Sequence, residues 1–414
     1  MKKVLIWDLF QKVDTGGPSG YLYNLQQYLL EHPTEQISFF SDLITEQLNK
    51  YGLPPSKLKP HGSSKTRISQ LWRRFVNIYN SCIFPFRGVE FHISTDIDIS
   101  EYDFVHIHQV THFQQFRQLF PNYKGKVIIT SHSPCPFSDE LIERAASEKA
   151  KLYKWIQFIK PVMRKYLISK ECEAYDNTDY VMFPCAGARE PYEKDVELRK
   201  VFARNSHKFF YVPTAIMDYS PNIHFVQKLA DFNIPKDAFV ITYFGRHNLI
   251  KGYDILKRVG MHLLEKIPNL YFLCAGNGPI ERPQHPRWVE LGFIDNVNDL
   301  LPQGDLYILP NRETYFDLIT LQILRAGVPL ILSNTGGNKH FKGLQTSEAK
   351  GLMFFDINNE QSIEELVIFC HKLNEDNKKE YRKLGEANQK LFRKYFTLDR
   401  YFSRYIESIN SLQL

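Results

Sequence analysis

Short continuous apolar runs alternate with helical patterns of apolar residues along most of the chain. A strand buried on both faces of a parallel sheet has such a run, and a helix packed on the sheet has apolar residues every three or four positions. The sequence therefore predicts an α/β fold with parallel sheets. The predicted strands cover residues 3–10, 37–41, 102–108, 126–130, 180–184, 209–213, 239–245, 271–275, 289–293, 306–309, 328–332 and 354–356.

The chain has 414 residues, which is more than one hydrophobic core normally serves, so we expect two domains. The strand pattern starts again after a Ser-Pro-Asn segment at 220–222, which is typical of a linker. The predicted units are a first domain at 1–218, a second domain at 222–392 and a C-terminal helix at 393–414 that packs back toward the first domain.

The stretch 309–338 joins two predicted strands through a helix and two polar loops. Leu318, Leu321 and Leu324 recur at helical spacing, and Gly327 ends the helix. We expect the helix N-terminus at 313–316. Its N–H groups and the Gly-Gly loop at 336–337 would then reach an anionic ligand at the carboxyl edge of the sheet.

A second anion site is predicted at the loop after the strand at 239–245. Arg246 and Lys251 lie there, just before a helical pattern. Two cations beside a helix N-terminus are suited to a diphosphate. Taken alone, they are also compatible with ordinary solvated residues of a βα loop.

The candidate site residues of the first domain are supported by weaker sequence patterns. A glycine loop at 14–20 precedes a helix, so Gly16 and Gly17 either approach a phosphate or sugar or form a plain tight turn. His132 follows a predicted strand, where functional side chains are common. His106, His108 and His112 suggest a metal by number, but a structural role is favoured because no acidic or cysteine ligand completes a site.

Composition narrows the function classes. Apolar residues make up 43% of the chain, charged residues 24%, and the net charge is +6. The six cysteines form no C-x-x-C motif, which favours reduced thiols in a cytoplasmic protein over zinc or disulfide scaffolds. No apolar run approaches the roughly 18 residues of a membrane span.

Two basic stretches with interleaved aromatic residues, 51–89 and 149–170, predict contact with an anionic membrane surface. The alternative is helices that pack on their own domain, with Pro161 kinking or dividing the second one. Nucleic acid is not an expected partner, because no nucleic-acid-binding module is recognisable.

Taken together, these motifs resemble glycosyltransferase family 4, with the two-domain arrangement called GT-B. The resemblance covers most of the chain and is most specific in its second half. It is carried by VIITSH ending at His132 and by the segments YFGRHNLIKGYD at 243–254, CAGNGP at 274–279, LGFID at 291–295 and RETYFDLITLQILRAGVPLILSNTGG at 312–337.

The resemblance implies two Rossmann-like, doubly wound domains that face each other across a cleft. It also implies a metal-independent, retaining transfer of a sugar to a glycan or lipid-linked acceptor in bacterial surface polysaccharide or glycoconjugate synthesis. The donor would be a nucleotide-sugar, by default a UDP-sugar, and no cofactor is expected. The protein would be cytoplasmic, with peripheral contact to the inner face of the plasma membrane.

The resemblance also assigns roles to residues. Arg246 and Lys251 would neutralise the leaving diphosphate, His132 would lie near the transferred sugar, and Glu313 would serve its hydroxyls. Gly16 and Gly17 would line the acceptor side. The donor-binding set would be Gly245, Gly278, Ile294, Asn311, Thr314, Gln322, Gly336 and Gly337.

One departure from the family pattern concerns two glutamates separated by seven residues. Those positions hold Thr314 and Gln322 here, although Glu313 lies beside the first. A glutamine can still accept a hydrogen bond from a ribose. A non-catalytic partner subunit with the same fold is therefore an alternative. A sugar-nucleotide epimerase is a weaker one, since its acid and base residues are not recognisable.

Overall fold

The computed structural model describes residues 1–8, 17–45, 75–76, 78–87, 97–147, 150–218, 229–294, 297–344 and 350–414. Within these ranges all twelve predicted strands are present, with boundaries that differ from the prediction by no more than a few residues. They form two six-stranded sheets in which every pairing is parallel. The predicted α/β class is confirmed. The linker at 220–222 lies outside the described residues.

The first sheet has the strand order β2-β1-β3-β4-β5-β6. Its strands are fully or mostly buried, apart from β6 at one edge, as their apolar sequences predict. The strands are β1 (Val4–Trp7), β2 (Ile37–Phe39), β3 (Phe104–Ile107), β4 (Lys126–Ile129), β5 (Tyr180–Phe183) and β6 (Phe209–Tyr211).

The helices of the first half surround this sheet. The expected division at Pro161 is wrong, because one continuous helix runs through it. The helices are α1 (Gly17–Glu31), α2 (Phe40–Leu43), α3 (Phe84–Arg87), α4 (His112–Leu119), α5 (Phe137–Ser147), α6 (Ala150–Asn177), α7 (Glu190–Glu193) and α8 (Val196–Arg204).

The second sheet has the order β12-β11-β10-β7-β8-β9. Its strands are β7 (Phe239–Phe244), β8 (Leu270–Ala275), β9 (Trp288–Glu290), β10 (Leu306–Leu309), β11 (Leu330–Ser333) and β12 (Leu352–Phe355). Its helices, with those that close the chain, are α9 (Tyr253–Lys266), α10 (Leu318–Ala326), α11 (Asn338–Gly343), α12 (Gln361–Asp376), α13 (Lys378–Tyr395) and α14 (Leu398–Ser411).

The last helix, α14, returns to the first sheet. Tyr401, Phe402 and Tyr405 are buried in one apolar cluster with Val4 and Ile6 of β1. The Tyr405 hydroxyl also lies 2.8 Å from Nδ1 of His106 on β3. The last helix therefore completes the hydrophobic core of the first sheet.

Each sheet has a point where the chain changes its winding direction. In the second sheet this point lies between β7 and β10, and in the first it lies between β1 and β3. The loops that leave such a pair of strands diverge and form a crevice at their carboxyl ends, where α/β proteins bind ligands. These two edges are therefore the candidate positions for a ligand site. None of the helices in the described ranges is long and apolar enough to cross a lipid bilayer.

Candidate active site

The loop after β7 is pressed against the end of β10. Gly252 has φ +65°, and a Cβ atom there would lie 1.8 Å from the carbonyl oxygen of Pro310. Only glycine permits both that conformation and that approach. The buried Tyr243 hydroxyl donates to the carbonyl of Arg246 at 3.0 Å and lies 3.5 Å from that of Lys251. Tyr243 thus brings the backbones of the two predicted cations together at the switch point.

Lys251 forms an ion pair with Asp317, which the sequence patterns did not predict. Its Nζ atom lies 2.8 and 2.7 Å from the two carboxylate oxygens of Asp317. The side-chain amide of Asn311 donates to the same carboxylate. Asp317 precedes the apolar face of α10 as an N-cap residue, but nothing in that local pattern indicates a partner 66 residues away.

The start of α10 differs from the prediction. The helix begins at Leu318 with Asp317 at its N-cap, so the expected start at 313–316 is wrong. The earlier residues form a loop that enters the space between the two domains. The first N–H groups of α10 therefore follow Asp317 and do not lie at 313–316.

Arg246 differs from Lys251 in its surroundings. Its side chain is exposed, and it has no ion pair with any residue that the structure describes. It lies close enough to Glu143 of the first domain to lower the pKa of that carboxyl, against the stronger raising effect of burial. Arg246 thus faces across the domain boundary.

Several buried polar atoms at this edge have no hydrogen-bond partner among the described residues. They include Oδ1 of Asn311, Oγ1 of Thr314 and Oδ1 of Asn338. Such groups are normally paired, because an unpaired buried polar atom costs about 1–3 kcal/mol. Their presence beside Lys251 and Asp317 marks the carboxyl edge of the second sheet as the place for a polar ligand.

The glycines predicted to bind the donor are required by backbone packing. A Cβ atom at Gly336 would lie 2.3 Å from the carbonyl oxygen of Thr314, and one at Gly337 would lie 1.8 Å from that of Tyr315. Close loop packing also surrounds Gly278 and, through the ring of Tyr243, Gly245. These contacts explain the glycines, and their contact with a donor stays a prediction.

The remaining predicted residues are spread over the two domains. Glu313 is paired with Lys194 of the first domain at 2.7 Å. Gln322 is half-buried on α10, and Ile294 is half-buried in the loop after β9. Gly17 begins α1 with φ +79° and open space around its Cβ position. Gly16 lies outside the described residues.

His132 belongs to a row of neutral histidines. Its Nε2 atom lies 3.0 Å from Nδ1 of His108, and the ring of His108 is tilted against that of His106 with centroids 4.0 Å apart. Burial lowers the pKa of His132 and of His106 to about 3. His132 itself has φ +58°, an uncommon conformation for a residue other than glycine. The described residues contain no group of three or more His, Cys, Asp or Glu side chains that could hold a metal ion.

The second domain covers this histidine row with a tyrosine. The ring of Tyr315 lies 5.9 Å from that of His132 and 5.6 Å from that of Phe183, and its side chain is buried. Nearby, a Cβ atom at Gly187 would lie 2.2 Å from the carbonyl oxygen of Gly336. The carboxyl edges of the two sheets therefore face each other in direct contact.

A cavity of about 420 Å³ opens beside this contact. Most of its wall comes from the first domain, while Ile250 and Glu313 come from the second. Its polar lining is largely acidic, although Arg164 pairs with Asp139 and Asp195. The lining residues are Cys135, Pro136, Asp139, Glu143, Arg164, Pro191, Lys194, Asp195, Val196, Glu197, Ile250 and Glu313.

The two basic stretches are only partly described. Most of 51–89 lies outside the described residues, and so do the side chains of 149–158. In the remainder of the second stretch, Met163 is buried in the core, and Arg164 and Lys170 form ion pairs with acidic residues of the same domain. This part fits a helix that packs on its own domain.

Part of the chain is similar in sequence to known glycosyltransferases. Residues 238–372 match the family model described as "Glycosyl transferases group 1". The O-antigen biosynthesis glycosyltransferase WclY of Escherichia coli is 26% identical over 192 residues, which are 44% of this chain and 49% of that protein. A D-inositol 3-phosphate glycosyltransferase of Saccharomonospora viridis is 29% identical over 128 residues, 26% of this chain and 30% of that protein. The matches thus span at most about half the length of these curated relatives.

Solved structures extend the likeness to the whole chain. The crystal structure of Anabaena HepE in complex with UDP-glucose has a TM-score of 0.59 and 13% identity, and the match covers 100% of both chains. Sucrose-phosphate synthase of Thermosynechococcus elongatus has a TM-score of 0.59 and 14% identity, covering 99% of this chain and 98% of that one. The fold is that of GT-B glycosyltransferases, so the predicted resemblance is confirmed at that level. Family 4 itself stays a prediction.

Proposed function

We propose that the protein is a retaining glycosyltransferase that moves a sugar from a nucleotide-diphosphate sugar to a glycan or lipid-linked saccharide. The observation that carries the proposal is the cationic loop after β7. It places Lys251 at the switch point of the second sheet, tied through Tyr243 to Arg246. Fixed cations there would stabilise the negative charge that develops on the leaving diphosphate. We assign this neutralisation to side chains and expect no essential metal.

The donor class and the biological setting of the proposal come from relatives. The WclY protein of E. coli is described as an O-antigen biosynthesis glycosyltransferase, and HepE was crystallised with UDP-glucose. By analogy, a UDP-sugar is the proposed donor, and bacterial surface polysaccharide or glycoconjugate synthesis is the proposed process. The transferred sugar is assigned as a hexose or an N-acetylhexosamine.

The cavity beside Glu313 is the proposed place for the acceptor saccharide. Carboxylates accept hydrogen bonds from sugar hydroxyls, and this lining presents several of them, including Glu143, whose carboxyl is close enough to Arg246 for its pKa to be affected. Glu313, which comes from the second domain, would exchange its bond to Lys194 for a bond to a hydroxyl of the transferred sugar. Gln322 is the proposed acceptor for the ribose hydroxyls.

A thermal-shift panel with UDP, GDP, CMP and ADP, with and without magnesium, tests the proposal. A ligand at a hundred times its dissociation constant stabilises a protein by about 2.7 kcal/mol, which is easily measured. We expect a shift with UDP that does not depend on magnesium. A shift that requires magnesium would contradict the metal-independent proposal.

The second candidate function is a non-catalytic partner subunit, which is favoured by glutamine at 322. This candidate predicts no shift with any of the four nucleotides. It also predicts no sugar transfer by the purified chain, and activity only together with a second protein. A Gln322→Glu variant that gains UDP binding would identify that position as the cause.

Membrane association belongs to the proposal as well, through the stretches 51–89 and 149–170 at the cytoplasmic face of the plasma membrane. Sedimentation with anionic and neutral lipid vesicles tests it. Binding to anionic vesicles should weaken as salt is added, because salt screens surface charges. Equal binding to neutral vesicles would contradict an electrostatic contact.

A further inference from the structure

The carboxylate of Asp317 neutralises the lysine that the proposed function assigns to a diphosphate. Both of its oxygens lie within 2.8 Å of the Lys251 Nζ atom. The side chains of Lys251 and Asp317 are 22% and 14% exposed, so solvent screens this pair only in part. The Lys251 ammonium group has three N–H donors, and a diphosphate that binds it through two oxygens would compete with this carboxylate for them.

Asp317 has a second place available to its carboxylate. It is the N-cap residue of α10, and its backbone has the extended conformation of such residues, with φ −67° and ψ 126°. An aspartate at this position usually accepts a hydrogen bond from an N–H group in the first helical turn. Here the side chain makes no such bond and pairs with Lys251 instead. A change of side-chain rotamer would move the carboxylate from the lysine to the helix.

The charge of a bound ligand would determine whether the Asp317 carboxylate pairs with Lys251 or caps α10. A diphosphate and a carboxylate held side by side in a partly buried site repel each other. Once a diphosphate occupies Lys251, the carboxylate could accept from N–H groups of the first turn of α10, where the Thr320 N–H now donates to the Asp317 carbonyl at 3.0 Å, and it would meet the positive end of the helix dipole. The chain thus holds one anion for two cationic positions, and a bound ligand would supply the second.

We propose that Asp317 is an internal counter-anion that occupies Lys251 in the unliganded protein and moves to cap α10 when the donor diphosphate binds. This inference rests on the proposed function, because it takes Lys251 as the diphosphate ligand. A protein that binds only in a minor state has its affinity reduced by the population of that state. Asp317 therefore sets the donor affinity below the value that the cations alone would give.

Calorimetric titration of UDP, inorganic pyrophosphate and uridine into the full chain tests this inference. The main variant is Asp317→Asn, which removes the charge, and Asp317→Ser is a second variant in case the first does not fold. Both replacements are good N-cap residues, so α10 keeps its cap. The matched control is Asp237→Asn, which removes an exposed carboxylate at the amino-terminal edge of the same sheet.

We expect Asp317→Asn to bind UDP and pyrophosphate at least about tenfold more tightly than the unmodified protein, as removal of a competing state at 90% population would give. Uridine affinity should not change, because uridine has no phosphate. The control should match the unmodified protein for all three ligands.

Equal or weaker binding of UDP by Asp317→Asn would overturn the inference, because it would make Asp317 a residue that positions Lys251. Tighter pyrophosphate binding without any nucleotide binding would support the counter-anion and remove the proposed function. If neither pyrophosphate nor any nucleotide binds to any of the variants, both fail together.

Discussion

The carboxyl edges of the two sheets face each other, but they carry different chemistry. The edge of the first sheet presents neutral histidines and aromatic rings, with the ring of His132 between the tilted rings of Tyr21 and Tyr315. The edge of the second sheet presents a lysine, its carboxylate partner and several polar atoms without partners among the described residues. The same type of sheet thus supplies an uncharged wall on one side and an anion site on the other.

The difference follows from what surrounds each edge. The first edge is closed by α14, which packs Tyr405 against His106 and Tyr401 against Tyr21, and the histidines are buried beneath them. Neutral imidazoles are the stable form in such surroundings, because burial penalises charge. At the second edge the Arg246 side chain is exposed and the Lys251 side chain is partly exposed. A charged donor and a neutral sugar would therefore meet suitable surfaces on opposite sides of one contact.

The largest expected effect comes from removing the residue that joins the two edges. Tyr315→Ala leaves a cavity against Phe183 and His132, and truncation of a buried aromatic residue typically costs about 3–5 kcal/mol. Urea unfolding of the full chain measures this loss. Tyr315→Phe keeps the ring and is the matched control. A loss below about 1 kcal/mol in Tyr315→Ala would show that the two edges are not held together by this ring.

The next largest effect tests the charge of the second edge. Lys251→Ala and Arg246→Ala should each lower sugar transfer by at least about a hundredfold, because removing one group that stabilises a developing anion costs about 3 kcal/mol. Initial rates with saturating donor measure the effect.

Lys257→Ala is the matched control for these variants. Lys257 lies on α9 and donates to the Glu281 carbonyl, so its loss should leave the rate unchanged. Circular dichroism would check that each variant keeps its fold. Near-full activity in either Lys251→Ala or Arg246→Ala would contradict the assignment of that residue to the diphosphate.

The smallest effect, taken over a single pH unit, concerns the neutral histidines of the first edge. The pKa of His106 is lowered to about 3 by burial, whereas an unfolded histidine titrates near 6.5. Between these values the unfolded chain binds a proton that the folded chain does not, so stability falls as pH decreases. Each such histidine contributes roughly 1.4 kcal/mol per pH unit within this window.

Urea unfolding at several pH values between 6.5 and 4 measures this slope. His106→Asn should flatten it by about the contribution of one histidine, while His207→Asn, which removes an exposed histidine, should leave it unchanged. An unchanged slope in His106→Asn would show that His106 is already protonated in the folded protein.

Much of the fold followed from local sequence patterns. The apolar runs that predict β10 and β11 have one structural solution, because both faces of each strand must be covered. The position of Lys251 was predictable for the same reason, since a loop that follows a buried parallel strand emerges at the ligand edge of the sheet. The extent of the helix before Gly327 was predicted less well, because residues 313–316 are helix-compatible but contact the other domain instead.

The sequence by itself determined two parallel sheets, the edge at which each loop lies and the presence of two cations at one of those edges. Only the tertiary structure decided that Asp317 pairs with Lys251 and that Tyr315 covers His132. Strand burial and helix spacing are properties of residues close together in the chain, so they can be read locally. Partners from different loops or domains are chosen by the way that the sheets pack, and this choice leaves no local pattern in the sequence.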